Sequence, residues 1–561
     1  MTLNQKLLRH SGGLVFWACL AIVWLGTLGQ RALITPDEGR YATLSLGMLH
    51  SGDWITPRLN NLLYFEKPAM QYWAGAIAFK LFGINEFAAR FWPGLTGLLT
   101  VALVGLTGRK LWSPAAGRNA ALVAAGCAWI VGNSHFLTLD TGVTFFLTAA
   151  LSGFLLAQRD GADTRKRLFW NLFMWAAMAG ATLSKGLIGI LIPGTTLALY
   201  SLLARDVRPW TRMNWLPGLA LFLVLSVPWF VLVSQQNPGF ARFFFIHEHF
   251  QRFLTTEHRR TGPVWYFVPL LLAGFLPWTS LLPATLRAGW QREPGRFQPR
   301  RLLLAWSLFV FVFFSVSGSK LPSYILPMFP ALALLLGREL EAMTAPRLAR
   351  HLIAPALLWL AVLAALPFHA RFASAETPPA ALHALAVGLG IAAILFLLCA
   401  WFAWRALRRD ERGLALAAWA LGGFLAVTAG ALGHNTYGQL KSSKAVAVAA
   451  APLLTPATPV FSVAMYDQTL PFYLRRPVTL VAYSDEFAFG QAAEPDKSLP
   501  DIASFIRRWR ELPAAAAMMG PGTFTTLSQG GLPMRVVYRD ARRLFVIKPA
   551  LRPMEPISET A

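Results

Sequence analysis

Cysteine is nearly absent from this chain of 561 residues: Cys19, Cys127 and Cys399 all lie in apolar stretches and share no pairing or ligand spacing. That excludes a disulfide framework and a cysteine-built metal centre, and leaves the three as packing residues. Acid is scarce as well, with 27 Asp and Glu against 51 Lys and Arg, and charged residues of both signs make up only 14%. The chain has no Walker A run and no GxGxxG, so nothing indicates a bound nucleotide, ATP hydrolysis or a dinucleotide fold. It also lacks HExxH; His247-Glu248-His249 would point its two histidines to different sides of a helix.

What the chain has in quantity is apolar surface. Hydrophobic residues reach 55% and aromatics 13%, and apolar stretches of about 17 to 25 residues recur, the length that crosses a bilayer. Thirteen spans are expected, beginning at Leu14, Phe87, Asn119, Thr141, Leu168, Gly186, Trp215, Val264, Leu302, Leu321, Leu352, Ala381 and Gly413. Lys6 and Arg9 ahead of Leu14 to Leu33 have the layout of a signal sequence, but no A-x-A site follows, so the stretch reads as a retained first helix. Pro68 to Phe82 is amphipathic and is expected along the membrane interface. The predicted class is membrane all-α, a polytopic bundle of about 13 transmembrane helices.

A net charge of +24 would suggest nucleic acid in a soluble protein. Here the bases fall in short loops between apolar segments, such as Arg109/Lys110/Arg118 and Arg159/Arg165/Lys166/Arg167. They read as topology determinants, so no nucleic-acid partner is expected and membrane lipids surround the chain. A cytoplasmic N-terminus makes every inside loop basic, and thirteen crossings then leave the C-terminus outside. The two long outer loops, residues 34–86 and 235–262, mix acids, bases, histidines and aromatics, as functional loops do. Residues 1–437 are expected to form the transmembrane catalytic domain and 438–561 a soluble periplasmic α/β domain. Its expected strands are Val460 to Ala464, Val478 to Val481, Arg535 to Tyr538 and Leu544 to Ile547, with helices at Thr469 to Arg475 and Ile502 to Glu511.

Thr35-Pro36-Asp37-Glu38-Gly39-Arg40-Tyr41 puts two carboxylates directly after an apolar helix. Carboxylates there are costly unless paired or used, although Asp37 could simply cap a helix. Tyr64-Phe65-Glu66-Lys67-Pro68 sets another acid beside a base, and Asp140 opens the fourth span, where capping is again the plainer reading. Lys185 and Lys320 either snorkel to the interface or hold a phosphate as point charges.

Taken in order, Thr35 to Tyr41, Tyr64 to Pro68, Leu137 to Asp140, Ser184-Lys185-Gly186, Glu248 to Phe253 and Lys320 to Pro327 resemble the bacterial lipid A aminoarabinose transferases. These lie within the protein O-mannosyltransferase-like group of glycosyltransferases with the GT-C fold, and the likeness runs over about residues 14 to 440. The resemblance implies transfer of 4-amino-4-deoxy-L-arabinose from undecaprenyl phosphate to lipid A phosphates at the periplasmic face of the inner membrane, with resistance to polymyxin as a result. It implies catalytic roles for Asp37, Asp140 and Glu38, and substrate contacts for Arg40, Tyr41, Lys67, Lys320 and Tyr324. The family pattern also permits a divalent ion such as zinc on Glu66 and His247. Two other readings stand beside it: a transferase of the same fold that moves mannose to protein or another glycolipid, and a flippase for lipid-linked sugars. The second lacks the internal repeat and midplane charges of a transporter.

Overall fold

The stretch Leu139–Gln158 is mostly apolar, its polar residues after Asp140 being small Thr and Ser apart from the final Gln158, and 89% of its most hydrophobic window is buried. A helix this apolar and this thoroughly covered belongs at the centre of a bundle. Trp215–Gln236 is more apolar still, yet only 28% of its window is buried, and Ala345–Phe372 falls to 11%. These two therefore present most of their surface outward.

The computed structural model describes residues 3–251 and 262–549, with side chains from residue 13 and omitting those of 247–251. The helices in order are α1 (Leu3–Gly26), α2 (Asp37–Ser51), α3 (Met70–Phe82), α4 (Glu86–Leu111), α5 (Pro114–Gly126), α6 (Ala128–Ser134), α7 (Leu139–Gln158), α8 (Thr164–Lys185) and α9 (Ile188–Ala204). Helical segments follow near each of the remaining expected starts, from Trp215–Gln236 to Arg412–Gly433. Among the described residues seven helices are long and apolar enough to cross a membrane, or nine if each of two bent pairs is one span. The chain is thus a multi-pass membrane protein.

One bent pair, α5 and α6, turns by 59° at Cys127. A break inside lipid strands backbone groups unless protein satisfies them. Here the Ala128 amide donates to the Leu276 carbonyl at 2.9 Å and the Cys127 thiol to the Gly274 carbonyl at 3.1 Å. Elsewhere small residues let helices close up: a Cβ on Gly337 would lie 2.5 Å from the Ala120 nitrogen of α5.

After the last long helix comes a six-stranded sheet, β3 (Val460–Val463), β4 (Thr479–Val481), β5 (Ser498–Leu499), β6 (Ala516–Met519), β7 (Arg535–Arg539) and β8 (Leu544–Ile547). A short hairpin, β1 (Arg58–Leu59) with β2 (Leu62–Leu63), lies in the loop between α2 and α3. The large sheet runs β5-β4-β3-β6-β8-β7, parallel through β6 and antiparallel beyond. Side chains alternate across it. Phe461, Val463, Val481 and Val546 face Phe505 and Trp509 of helix Ile502–Glu511 in a core of their own. Val460, Leu480, Met518 and Phe545 face the other way and share one core with Leu44 of α2, Leu62 of β2 and Ala76 of α3. Residues 34–86 are packed directly beneath the sheet.

Candidate functional site

The junction of those residues with the sheet is built at the start of α2. A Cβ on Gly39 would lie 2.4 Å from the Gln468 carbonyl carbon, so only glycine allows this approach. The opposing segment is held firmly: Asp467 accepts from the Thr469 amide and hydroxyl at 2.9 and 2.6 Å and is paired with the buried Arg543. Gln468 then accepts from the Thr35 hydroxyl through its side chain, and from the Thr43 hydroxyl through its carbonyl at 3.1 Å.

Beside this contact Arg40 donates to Asp37 at 2.7 Å and to Glu486 of the sheet region. Gln468 donates to the other Glu486 oxygen at 2.9 Å. Burial holds the Glu486 carboxyl above its ordinary range; Arg40 draws it back in part, and Glu66 pushes it further up. Burial likewise raises the Tyr64 phenol, with Glu66 adding to it and Arg40 opposing. Glu66, Tyr64, Arg40 and Glu486 therefore share one neighbourhood. Lys67 donates to its neighbour's backbone, the Glu66 carbonyl, at 2.6 Å.

Tyr41 links this group to a second one. Burial pushes its phenol well up, and the charges of Asp37 and Asp140 both act in the same direction. Asp140, in the first turn of α7, pairs with Lys185 at the end of α8 and accepts from the Ser323 hydroxyl at 2.7 Å. The Lys185 ammonium in turn lies 4.4 Å from the centre of the Tyr324 ring. Asp37 and Asp140 lie inside the first turns of α2 and α7, and their carboxylates go to Arg40, and to Lys185 and Ser323, not to a helix cap. Asp37, Arg40, Tyr41, Asp140 and Tyr324 are thus gathered, and Glu486, Gln468, Lys185 and Ser323 stand with them.

Two expected residues are used otherwise. Glu38 is fully buried and accepts from Arg90 with both oxygens, at 2.6 and 2.7 Å, and from the Leu137 and Ile34 amides at 3.0 and 3.1 Å. Burial would raise its carboxyl, but Arg90 outweighs that and holds it below the usual range. Arg90 also donates to the carbonyls of Leu28, Arg31 and Ala32. With four donors satisfied in this way, Glu38 ties the end of α1 to α2, α4 and the entry to α7 and has no oxygen left for substrate. These contacts describe a tie between segments where the sequence reading expected a catalytic group. Arg40 accordingly pairs with Asp37 and Glu486, not Glu38. Lys320 is buried and donates to the Ser315 and Ser317 carbonyls at 3.0 and 2.6 Å, closing the C-terminus of helix Pro299–Val316.

The expected metal pair is described only in part. His247 sits on helix Arg242–Gln251, its side chain outside the described residues, as are Glu257, His258, Arg259 and Arg260 altogether. That helix comes close to Glu66: Phe240, just before it, packs edge-on to Phe65 with ring centres 5.1 Å apart, and Phe243 packs on Phe489 at 4.7 Å. Among the described residues no group of three His, Cys, Asp or Glu gathers to hold an ion.

The family model "Dolichyl-phosphate-mannose-protein mannosyltransferase" matches residues 11–244, and "Aminoarabinose transferase C-terminal domain" matches residues 446–548. The crystal structure of ArnT from Cupriavidus metallidurans bound to undecaprenyl phosphate is 38% identical, with a TM-score of 0.92 over 96% of this chain and 98% of that one. Among curated proteins, the undecaprenyl phosphate-alpha-4-amino-4-deoxy-L-arabinose arabinosyl transferase of Erwinia tasmaniensis is 35% identical over 330 residues, 58% of this chain and 59% of that protein. The enzyme of the same name from Pseudomonas aeruginosa PAO1 is 37% identical over 320 residues, 57% and 58% of the two chains. The matches thus span less than two thirds of these curated relatives.

Proposed function

Because the chain belongs to the aminoarabinose transferase family, we propose that it transfers 4-amino-4-deoxy-L-arabinose from undecaprenyl phosphate to phosphate groups of lipid A. On this reading the reaction runs at the periplasmic face of the bacterial inner membrane, with thirteen crossings, a cytoplasmic N-terminus and residues 438–561 as a periplasmic domain. The observation that carries this reading is the mixed cluster around Tyr41, where two acids, Asp37 and Asp140, each hold a cation.

Loss of the polyprenyl phosphate leaves negative charge that needs cations set in advance. Arg40 is set by Asp37 and Glu486, Lys185 by Asp140 and the Tyr324 face, and Lys67 stands beside Glu66. A phosphate monoester, with a second pKa of about 6, is already a nucleophile at neutral pH. The site therefore needs no strong general base, and Asp37 and Asp140 act by charge, toward the sugar's ammonium and the positive character at its anomeric carbon. A divalent ion held by Glu66 and His247 would add Lewis acidity next to the leaving phosphate.

The match of residues 11–244 to the mannosyltransferase model favours a second reading, mannose transfer to protein. A hydroxyl acceptor would then require Asp37 as general base. Mass spectrometry of lipid A from cells with and without the protein separates the two. Aminoarabinose on lipid A phosphates only when the protein is present is the expected result; unmodified lipid A with mannosylated protein would replace it with the second reading.

A further inference from the structure

About 10 to 15 Å along α2 from Arg40, a second pocket of 340 Å³ opens between the far half of α2, the β1–β2 hairpin and the chain after helix Leu470–Leu474. His50, Arg58, Asn61, Arg475 and Arg476 line it. Its charge is not balanced. Arg58 pairs with Glu494 at 2.8 Å, but Glu494 also serves Lys497 at 2.9 Å. Arg476 is fixed by the Thr455 and Pro456 carbonyls at 2.9 and 2.6 Å, which orient the guanidinium and supply no counter-charge. The side chains of Arg475 and His50 have no hydrogen-bond or ion-pair partner among the described residues.

The backbone adds an independent observation. Arg475 closes its helix at φ 54°, a left-handed conformation that glycine adopts without strain. A bulky cation there is a costly choice unless its side chain is used. Fixed guanidinium groups around a cavity suit an oxyanion, which they can bind by paired hydrogen bonds.

We propose that this pocket binds a phosphate monoester: the one at the far end of the acceptor's head group, while the phosphate being modified enters the cluster around Tyr41 beside the donor phosphate held by Arg40. The proposal rests on the acceptor reading given above, since lipid A carries a phosphate at each end of its disaccharide. The pocket would then set which end enters the site, and would favour a doubly phosphorylated acceptor over a singly phosphorylated one.

The test uses the full chain in detergent with soluble glucosamine disaccharides bearing one or two phosphates, binding being measured by titration calorimetry. Wild type is expected to bind the doubly phosphorylated form about tenfold or more tighter. In Arg475→Ala, an exposed position, that ratio should fall towards one with the singly phosphorylated form unchanged; Arg476→Lys, which keeps a donor for the carbonyls, should lower it in part. A ratio of one in wild type, or one unaffected by either variant, overturns the proposal. So does competition by inorganic phosphate that Arg475→Ala abolishes while wild type still does not distinguish the two disaccharides, which would make the pocket a site for the free ion. Turnover on the corresponding lipid A species is followed in parallel. No turnover on either, with the binding ratio intact, removes the acceptor reading and leaves the phosphate site; turnover with equal KM for both species in wild type and Arg475→Ala does the reverse.

Discussion

Arg40 donates at once to Asp37, three residues before it, and to Glu486, 446 residues after it. One guanidinium thus joins the start of α2 to the C-terminal sheet region, and its direction depends on both partners. Glu486→Gln is expected to loosen Arg40 without removing it. A charge-assisted hydrogen bond contributes about 1.5 to 3 kcal/mol, so kcat/KM for the donor should drop about tenfold to a hundredfold. In an Arg40→Ala background the same change should cost almost nothing further, because the coupling partner is gone. Additive losses in that double-mutant cycle would show that Glu486 acts by some other route.

The same carboxyl gives a pH dependence of known sign. Burial raises Glu486 above its ordinary value of 4.5 in the folded chain. Between 4.5 and that higher value the folded state therefore binds more protons than the unfolded one. Stability from this group is fully present below the window and is lost as pH rises through it. Thermal unfolding followed from pH 4 to 7 should show a negative contribution to the slope that disappears in Glu486→Gln. A slope identical in both proteins would mean the carboxyl is not raised.

Glu38→Gln should damage the fold more than the chemistry. Removing one partner of a fully buried ion pair costs about 3 to 5 kcal/mol, and Arg90 would keep its charge without the carboxylate it is hydrogen-bonded to. The expected outcome is poor recovery from the membrane, with per-molecule turnover in the folded fraction near wild type. A well-folded but inactive Glu38→Gln would return Glu38 to the catalytic group.

Asp37→Asn is the contrasting case. It keeps the size of the side chain and removes only its charge. Transfer should fall by about two or more orders of magnitude, with the protein still folded because Glu486 continues to hold Arg40. Near wild-type turnover by the purified variant would reduce Asp37 to a partner of Arg40.

The long apolar runs, the strands at Val460, Thr479, Arg535 and Leu544, and the acid-base segments were all readable because each is local: periodicity, length or adjacent charge. Other features had no local sign. β6 is Ala-Ala-Met-Met, poor in strand formers, yet it is buried at the middle of the sheet with every residue covered. Glu486 sits in an unremarkable Ser-Asp-Glu-Phe run, and only the docking of Gly39 on Gln468 brings it to Arg40. Glu38 and Asp37 look alike in sequence; what separates them is Arg90, a base hidden in an apolar helix that turns one of the two into scaffold.

The metal is the prediction that depends least on contacts already in place. Glu66 lies in the same neighbourhood as Glu486 and Tyr64, and the helix bearing His247 packs near it through Phe243 and its neighbour Phe240. Zinc usually takes four ligands. A carboxylate and an imidazole would leave two positions for water or substrate phosphate, so retention should be weak in the absence of donor and stronger with it. Elemental analysis of the purified protein, with and without undecaprenyl phosphate, is expected to give near-stoichiometric zinc only with the lipid. Glu66→Ala and His247→Ala should each abolish that gain and also lower transfer. Zinc that persists in both variants would place the ion elsewhere, and full activity in wild type stripped of metal would leave Arg40, Lys67 and Lys185 to carry the charge of the departing phosphate alone.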